Sequence, residues 1–234
     1  MSLLSICQAV AEDCGFAAPS AIVGGSDDTA VQLLALANKG GQMLARKPWE
    51  ALQGEHTFST ADGTASYAKP SDYGWFIDDT AWDRTDYWKL RGSLSPREWQ
   101  LYKSGIVSAS PRSRFRIKGG LIYIDPTPSS IRSVVIEYVS NEWASNAAGD
   151  TFATAFAADD DTVRGFDELV LQLDLTWRFL KAKGLAYAED KAEAERQTDL
   201  LMARDVPSQP MSQAGDRRVI WPPMPTWSGS GLGS

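Results

Sequence analysis

Residues 166–180 read FDELVLQLDLTWRFL, and the fold turns on how they are read. Leu169, Leu171, Leu173, Leu175, Trp177 and Phe179 alternate with Gln172, Asp174, Thr176 and Arg178, as on a half-buried strand. Phe166, Leu169, Val170, Leu173, Trp177 and Leu180 also share one stripe of a helix. Length decides for helix, with an apolar face wide enough to sit inside a bundle. Beyond it, Gly184 is placed to kink the helix. Tyr187 to Arg204 is rich in Ala, Glu, Lys and Arg, all good helix formers.

Two more helices are expected at the other end of the chain. In residues 2–14, Leu3, Ile6, Cys7, Val10 and Cys14 fall on one stripe, and Gly15 is placed to end it. Asp27 or Asp28 can cap a second helix running to about Arg46. Its expected buried stripe is Ala30, Leu33, Leu34, Ala37, Gly41 and Leu44. Gly40-Gly41 inside it costs about 1 kcal/mol per glycine against alanine. Either close packing against a neighbour offsets that, or the helix breaks there.

Between these helices the period changes. His56-Thr57-Phe58-Ser59-Thr60 alternates like a strand, Gly63 punctuates, and Pro70-Ser71-Asp72 turns. Trp75 to Asp83 and Tyr87 to Arg91 read as strands. Ser95-Pro96-Arg97-Glu98 is a capping box with proline at the first helical position, opening a short helix to about Lys103. Arg114 to Lys118, Gly119-Gly120 and Leu121 to Ile124 form a hairpin signature, and Val134 to Val139 is a further strand. The expected fold class is therefore α+β. Residues 1–54 and 148–205 form a helical bundle, residues 55–147 an inserted antiparallel β-rich domain, and residues 206–234 an extended arm.

The 234 residues suffice for one or two globular domains, and no apolar run is long enough for a membrane span. The start, Met1-Ser2-Leu3-Leu4-Ser5, lacks the basic stretch and cleavage site of a secretory signal. The net charge of −7 is uneven: residues 148–205 hold thirteen acidic and seven basic side chains, whereas residues 55–147 hold eleven of each. Net acidity argues against tight nucleic-acid binding but not against encircling nucleic acid. Nine tryptophans suggest large packing surfaces at cores or interfaces.

Little in the sequence carries chemistry. Asp78, Asp79 and Glu98 are conceivable glycosidase carboxylates, but on a strand the two aspartates would face opposite sides; turn and surface roles fit better. Asp159-Asp160-Asp161 lacks the glycine and terminal glutamate of a calcium loop, so a solvated loop before a helix is expected. His56 is alone. Cys7 and Cys14 lie about 10 Å apart along a helix, too far to bridge, and read as buried thiols. No catalytic or metal-binding residue is expected. Arg112, Arg114, Arg116 and Lys118 form the strongest basic cluster, sharing one strand face opposite Phe115 and Ile117. They suit contact with an acidic neighbouring surface, or with phosphate, and residues 148–205 supply the acid. The arm holds Val219, Ile220, Trp221, Pro222, Pro223, Met224, Pro225 and Trp227, too apolar for a mere solubilising tail and suited to docking on a partner.

Several stretches together resemble the tailed-phage head-to-tail adaptor, or connector, proteins. They are Leu33 to Asn38, Trp49, Phe58 with Gly63 and Tyr67, Pro70-Ser71-Asp72, Ile77 to Thr85, Leu90 to Trp99, Phe115 to Gly120 and Trp177 to Leu185. The resemblance covers about residues 3–205, and its motifs concern packing and turns. It implies a structural protein without cofactor: a homo-oligomeric ring of twelve subunits in the virion neck, assembled in the host cytoplasm. Such a ring sits beneath the portal protein, which the C-terminal arm contacts. It offers a platform for a tail, nozzle or tail-terminator protein, and genomic DNA passes through its lumen without sequence recognition. Some related adaptors are peptidoglycan hydrolases, which makes Glu98, Asp78 or Asp79 the alternative candidates.

Overall fold

The computed structural model of the protein describes residues 1–105 and 113–205. The chain is mixed α+β. Two helices come first, α1 (Leu3–Asp13) and α2 (Asp28–Leu44), and two come last, α4 (Glu168–Ala182) and α5 (Ala188–Asp205). Between them lie the short helix α3 (Pro96–Lys103) and eleven strands. These are β1 (Gln53–Ser59), β2 (Ser66–Ala68), β3 (Tyr73–Phe76), β4 (Trp82–Asp83), β5 (Trp88–Lys89), β6 (Arg114–Lys118), β7 (Leu121–Asp125), β8 (Ser133–Ser140), β9 (Ala144–Ser145), β10 (Phe152–Ala153) and β11 (Thr162–Val163).

Residues 166–180 are helical, as their length requires, but the buried stripe is rotated from the expected one. The deepest positions of α4 are Val170, Leu171, Asp174, Leu175 and Phe179, while Leu169 is 46% exposed. The cause is that α4 packs on α1, α2 and α5 together, so several of its sides are covered. Asp167 caps it, accepting the Leu169 N–H at 2.8 Å. Gly184 does not kink the helix but ends it. Its φ of +73° lets the Leu185 N–H reach back to the Leu180 carbonyl, and α5 starts afresh.

Gly40 and Gly41 do not break α2; they are a notch. A Cβ on Gly41 would lie 2.2 Å from the Trp143 ring, and one on Gly40 would lie 2.5 Å from the Asp174 carboxylate. Trp143 is fully buried, donates its indole N–H to the Thr154 carbonyl at 2.9 Å, and meets Phe156 edge-on at 4.7 Å. Asp174 accepts the Trp177 indole N–H at 3.0 Å and pairs with Arg178. Around this notch lies the larger apolar cluster, which includes Leu3, Ile6, Val10, Leu33, Ala37, Trp49, Leu52, Leu171 and Phe179.

The sheets are antiparallel. In the largest, β8 is central: β1 runs along one edge, and β3 and β4 lie end to end along the other, with β5 outside β4. Trp75 to Asp83 is thus not one strand. It breaks at a turn where Asp79 has φ +69°, and the Thr80 hydroxyl accepts the Glu137 N–H at 3.2 Å in place of a ladder carbonyl. The expected strand from Tyr87 to Arg91 shrinks to the two residues of β5. In the second sheet, ordered β2-β7-β6, the β6–β7 hairpin turns through Gly119 and Gly120, whose φ values of +58° and +82° explain the two glycines. A smaller core of Ala81, Leu90, Phe115, Ile122, Ile124, Val134 and Ile136 fills the space beside these sheets.

Asp159-Asp160-Asp161 is not a solvated loop. The Asp159 carboxylate accepts the Ile22 and Val23 N–H groups at 3.0 and 2.7 Å, and buried Asp161 accepts those of Ala157 and Ala158. The carbonyls of Asp161 and Asp159 take the Leu3 and Leu4 N–H groups, two of the donors that the first turn of α1 leaves unpaired. The triplet therefore ties the start of the chain to the approach to α4.

Three outcomes follow. Gly41→Ala should lower stability by about 2 kcal/mol in denaturant unfolding, despite alanine's better helix propensity, because the methyl collides with a locked indole. His56 stacks on Phe58 at 5.6 Å with its Nε2 enclosed and unpaired, so His56→Phe should raise stability by about 1 kcal/mol. The Tyr138 hydroxyl donates to Asp72 at 2.9 Å, and burial together with that carboxylate pushes its pKa up to about 12. The unfolded phenol ionises first, near pH 10. Its contribution is therefore complete below pH 10 and lost as pH rises towards 12. Urea midpoints should fall over that window in the wild type and more shallowly in Tyr138→Phe.

Candidate interaction surfaces

β6 alternates as its sequence demands. Phe115 is fully buried in the smaller core, Arg114 and Arg116 are half-exposed on the other face, and Lys118 is exposed. Arg112 lies outside the described residues. The Arg114 guanidinium stacks 4.1 Å above the Tyr102 ring of α3, and Lys103 of the same helix pairs with Asp125 of β7. Segment 91–94 shields the outer edge of β6: Phe115 N–H reaches the Arg91 carbonyl at 3.0 Å, and Leu94 N–H reaches the Phe115 carbonyl at 3.0 Å. The cluster is thus a face, not a free strand edge.

Two of the three carboxylates considered for catalysis meet in one open groove of about 540 Å³, lined by Asp79, Lys89, Arg91, Glu98 and Arg114 among others. Neither is disposed as an acid catalyst. Glu98 completes the capping box, accepting the Ser95 N–H at 2.9 Å, and those Ser95 hydrogen bonds hold its carboxyl below the usual range. A glycosidase acid needs the opposite shift. Asp79 is taken up by Lys89 at 2.7 Å. Asp78 occupies the same turn and does not line the groove.

The thiols are unpaired. Burial, reinforced by Asp159, pushes Cys7 up to about 12, and burial also raises Cys14, so both resist forming the thiolate. Among the described residues no three His, Cys, Asp or Glu side chains gather as a metal site. No described helix is long and apolar enough to cross a membrane.

The helix α5 is strongly acidic. Its eighteen residues bury only Ala194 and Thr198 and carry six acidic side chains against three basic ones. Its C-terminal end is fastened: Asp205 accepts the Glu50 N–H at 2.7 Å, and Lys47 pairs with Asp199 at 3.6 Å. Val219, Ile220, Trp221, Pro222, Pro223, Met224, Pro225 and Trp227 all lie outside the described residues.

One surface has no forewarning in the sequence. Tyr87 is 82% exposed with φ +58°, and Ile131 is 76% exposed. Arg132 clasps the two loops by pairing with Asp86 at 2.9 Å and Asp83 at 3.4 Å. Only the tertiary pairing of β4 with β8 brings those charges together, so no local motif announces them.

No match is found among curated proteins. The family model for the SU10 adaptor protein, however, matches residues 1–222, from before α1 to beyond α5. With all the described helices and sheets inside that match, the chain belongs to the SU10 adaptor protein family, a family of phage adaptors with a structural role in the neck.

Proposed function

We propose that the protein is a ring-forming subunit of the phage neck, seated beneath the portal, joining head to tail and continuing the DNA channel. The observation that carries this reading is the extent of the family match, residues 1–222, which covers the arm's first part together with the folded body. In this reading residues 1–54 and 148–205 form a helical bundle unit, residues 55–147 a β-rich unit, and residues 206–234 an arm that docks on portal through Val219 to Trp227. Twelve copies form the ring, in the virion, after assembly in the host cytoplasm. A tail, nozzle or tail-terminator protein binds below.

Chemistry is compatible with this role. DNA must slide through a conduit rather than be held, and the net charge of −7 disfavours tight phosphate contact. A ring subunit needs two unlike faces, and this chain carries a basic sheet face and an acidic helix. The carboxylates of the groove are engaged in capping and ion pairing, which favours assembly over hydrolysis.

Deleting residues 206–234 should leave the folded body's circular dichroism and melting unchanged while abolishing co-purification with portal. A truncated chain that binds portal as the full chain does would remove the arm from the interface.

A further inference from the structure

Among the described residues the outer face of the β2-β7-β6 sheet is only partly covered. Arg116 stands beside Tyr123, which neighbours Ser66; Lys118 stands beside Leu121, which neighbours Ala68. Ala68 and Lys118 are exposed, and the other four are half-buried. α3 covers only the far end, where Tyr102 lies under Arg114. Among the described residues neither Arg116 nor Lys118 forms an ion pair.

On α5 the positions opposite buried Ala194 and Thr198 include Glu189, Glu193 and, seven residues further along the same face, Leu200, which is 42% exposed. Glu189 has no ion-pair partner among the described residues, and Glu193 meets only Arg196 and Gln197 of its own helix. Within the chain the two surfaces belong to different neighbourhoods: α5 packs on α4, whereas β6 packs on β7. No ion pair joins them. Among the described residues of one copy no acidic side chain pairs with Arg116 or Lys118, which leaves both open to the acid of a second copy.

We propose that the basic sheet face of one copy seats α5 of the next copy, with Arg116 and Lys118 opposite Glu189 and Glu193. The spacings agree: residues two apart on a strand lie about 7 Å apart, and residues four apart on a helix about 6 Å. Tyr123 and Leu121, directly beside Arg116 and Lys118, give this face an apolar floor beneath the helix. Because the two surfaces are unlike, the contact is heterologous, and its repetition builds a ring or an open filament. It rests on the adaptor reading only for closure into a ring.

Charge exchange tests the contact on the full chain by sedimentation velocity at low and high salt. The wild type should self-associate at low salt and less so at high salt. Arg116→Glu with Lys118→Glu should weaken association about tenfold or more, as should Glu189→Lys with Glu193→Lys. Mixing the two variants should restore assembly, since each then meets its complement on both sides. Glu189→Gln with Glu193→Gln, a gentler pair, guards against loss of helix, and melting curves confirm folding. A wild type that stays monomeric at low salt, folded variants that associate like wild type, or a mixture that fails to assemble would each overturn the proposal. So would duplex DNA binding that the arginine and lysine reversals abolish while self-association is unchanged, which would assign the face to phosphate. A chain that associates as described yet ignores portal would sink the adaptor reading and leave this contact standing.

Discussion

One close approach organises the larger core: the Trp143 indole lies against α2 where Gly40 and Gly41 leave no side chain in its way. The tryptophan comes from the segment just after β8, so this single residue carries the central strand into the helical core. Its ring lies 6.3 Å from Phe166, and Phe166 lies 5.6 Å from Trp49, so three aromatic rings join the end of β8, the approach to α4 and the segment after α2. One residue along α2, Gly40 faces the Asp174 carboxylate, which Arg178 and Trp177 hold in place. An apolar ring and a paired ion thus fill adjacent halves of one notch. Neither would fit against a helix with ordinary side chains there.

β8 divides its loyalties in a way that explains why the two cores are contiguous. Val139 belongs to the helical core, whereas Val134 and Ile136 belong to the smaller one. The strand is the common wall. Its other edge is shared by β3 and β4 with a turn between them, which brings Asp79 to Lys89 and presents the groove beside α3. The basic face of β6 and the acidic face of α5 then stand on opposite partners of this wall, one on each core.

Much of this was legible in the sequence, because it is written in local chemistry. The capping box at Ser95, the Gly119-Gly120 hairpin and the alternation of β6 depend on neighbours in the chain, and all three stand in the structure as read. The long helix at Phe166 to Leu180 was decidable by length, but its buried stripe was not. A helix packed on three others buries more than one face, and the sequence does not say which partner lies deepest. Gly40-Gly41 was legible as a choice between close packing and a break; only the arrival of Trp143 from a hundred residues away settles it. Distance in sequence also hid Asp159, whose carboxylate satisfies the Ile22 and Val23 N–H groups, and the clasp of Arg132 with Asp83 and Asp86. Of the candidate interaction residues, the basic strand was readable because a strand's period is two. That Arg116 and Lys118 meet no acid among the described residues depends on tertiary placement.

The fastening of Asp205 to the Glu50 backbone has an effect on valency. The end of α5 is fixed to the rest of the fold, so the proposed arm would begin from a defined point. The twenty-two residues from there to Trp227 span about 70–80 Å at full extension. In a ring, every copy would hold such a tether at the same height and angle. Once one has bound, the others are confined near their sites at high effective concentration. Under the proposed arrangement each Trp/Pro segment would need only a weak affinity of its own, and a single copy released from the ring would let go.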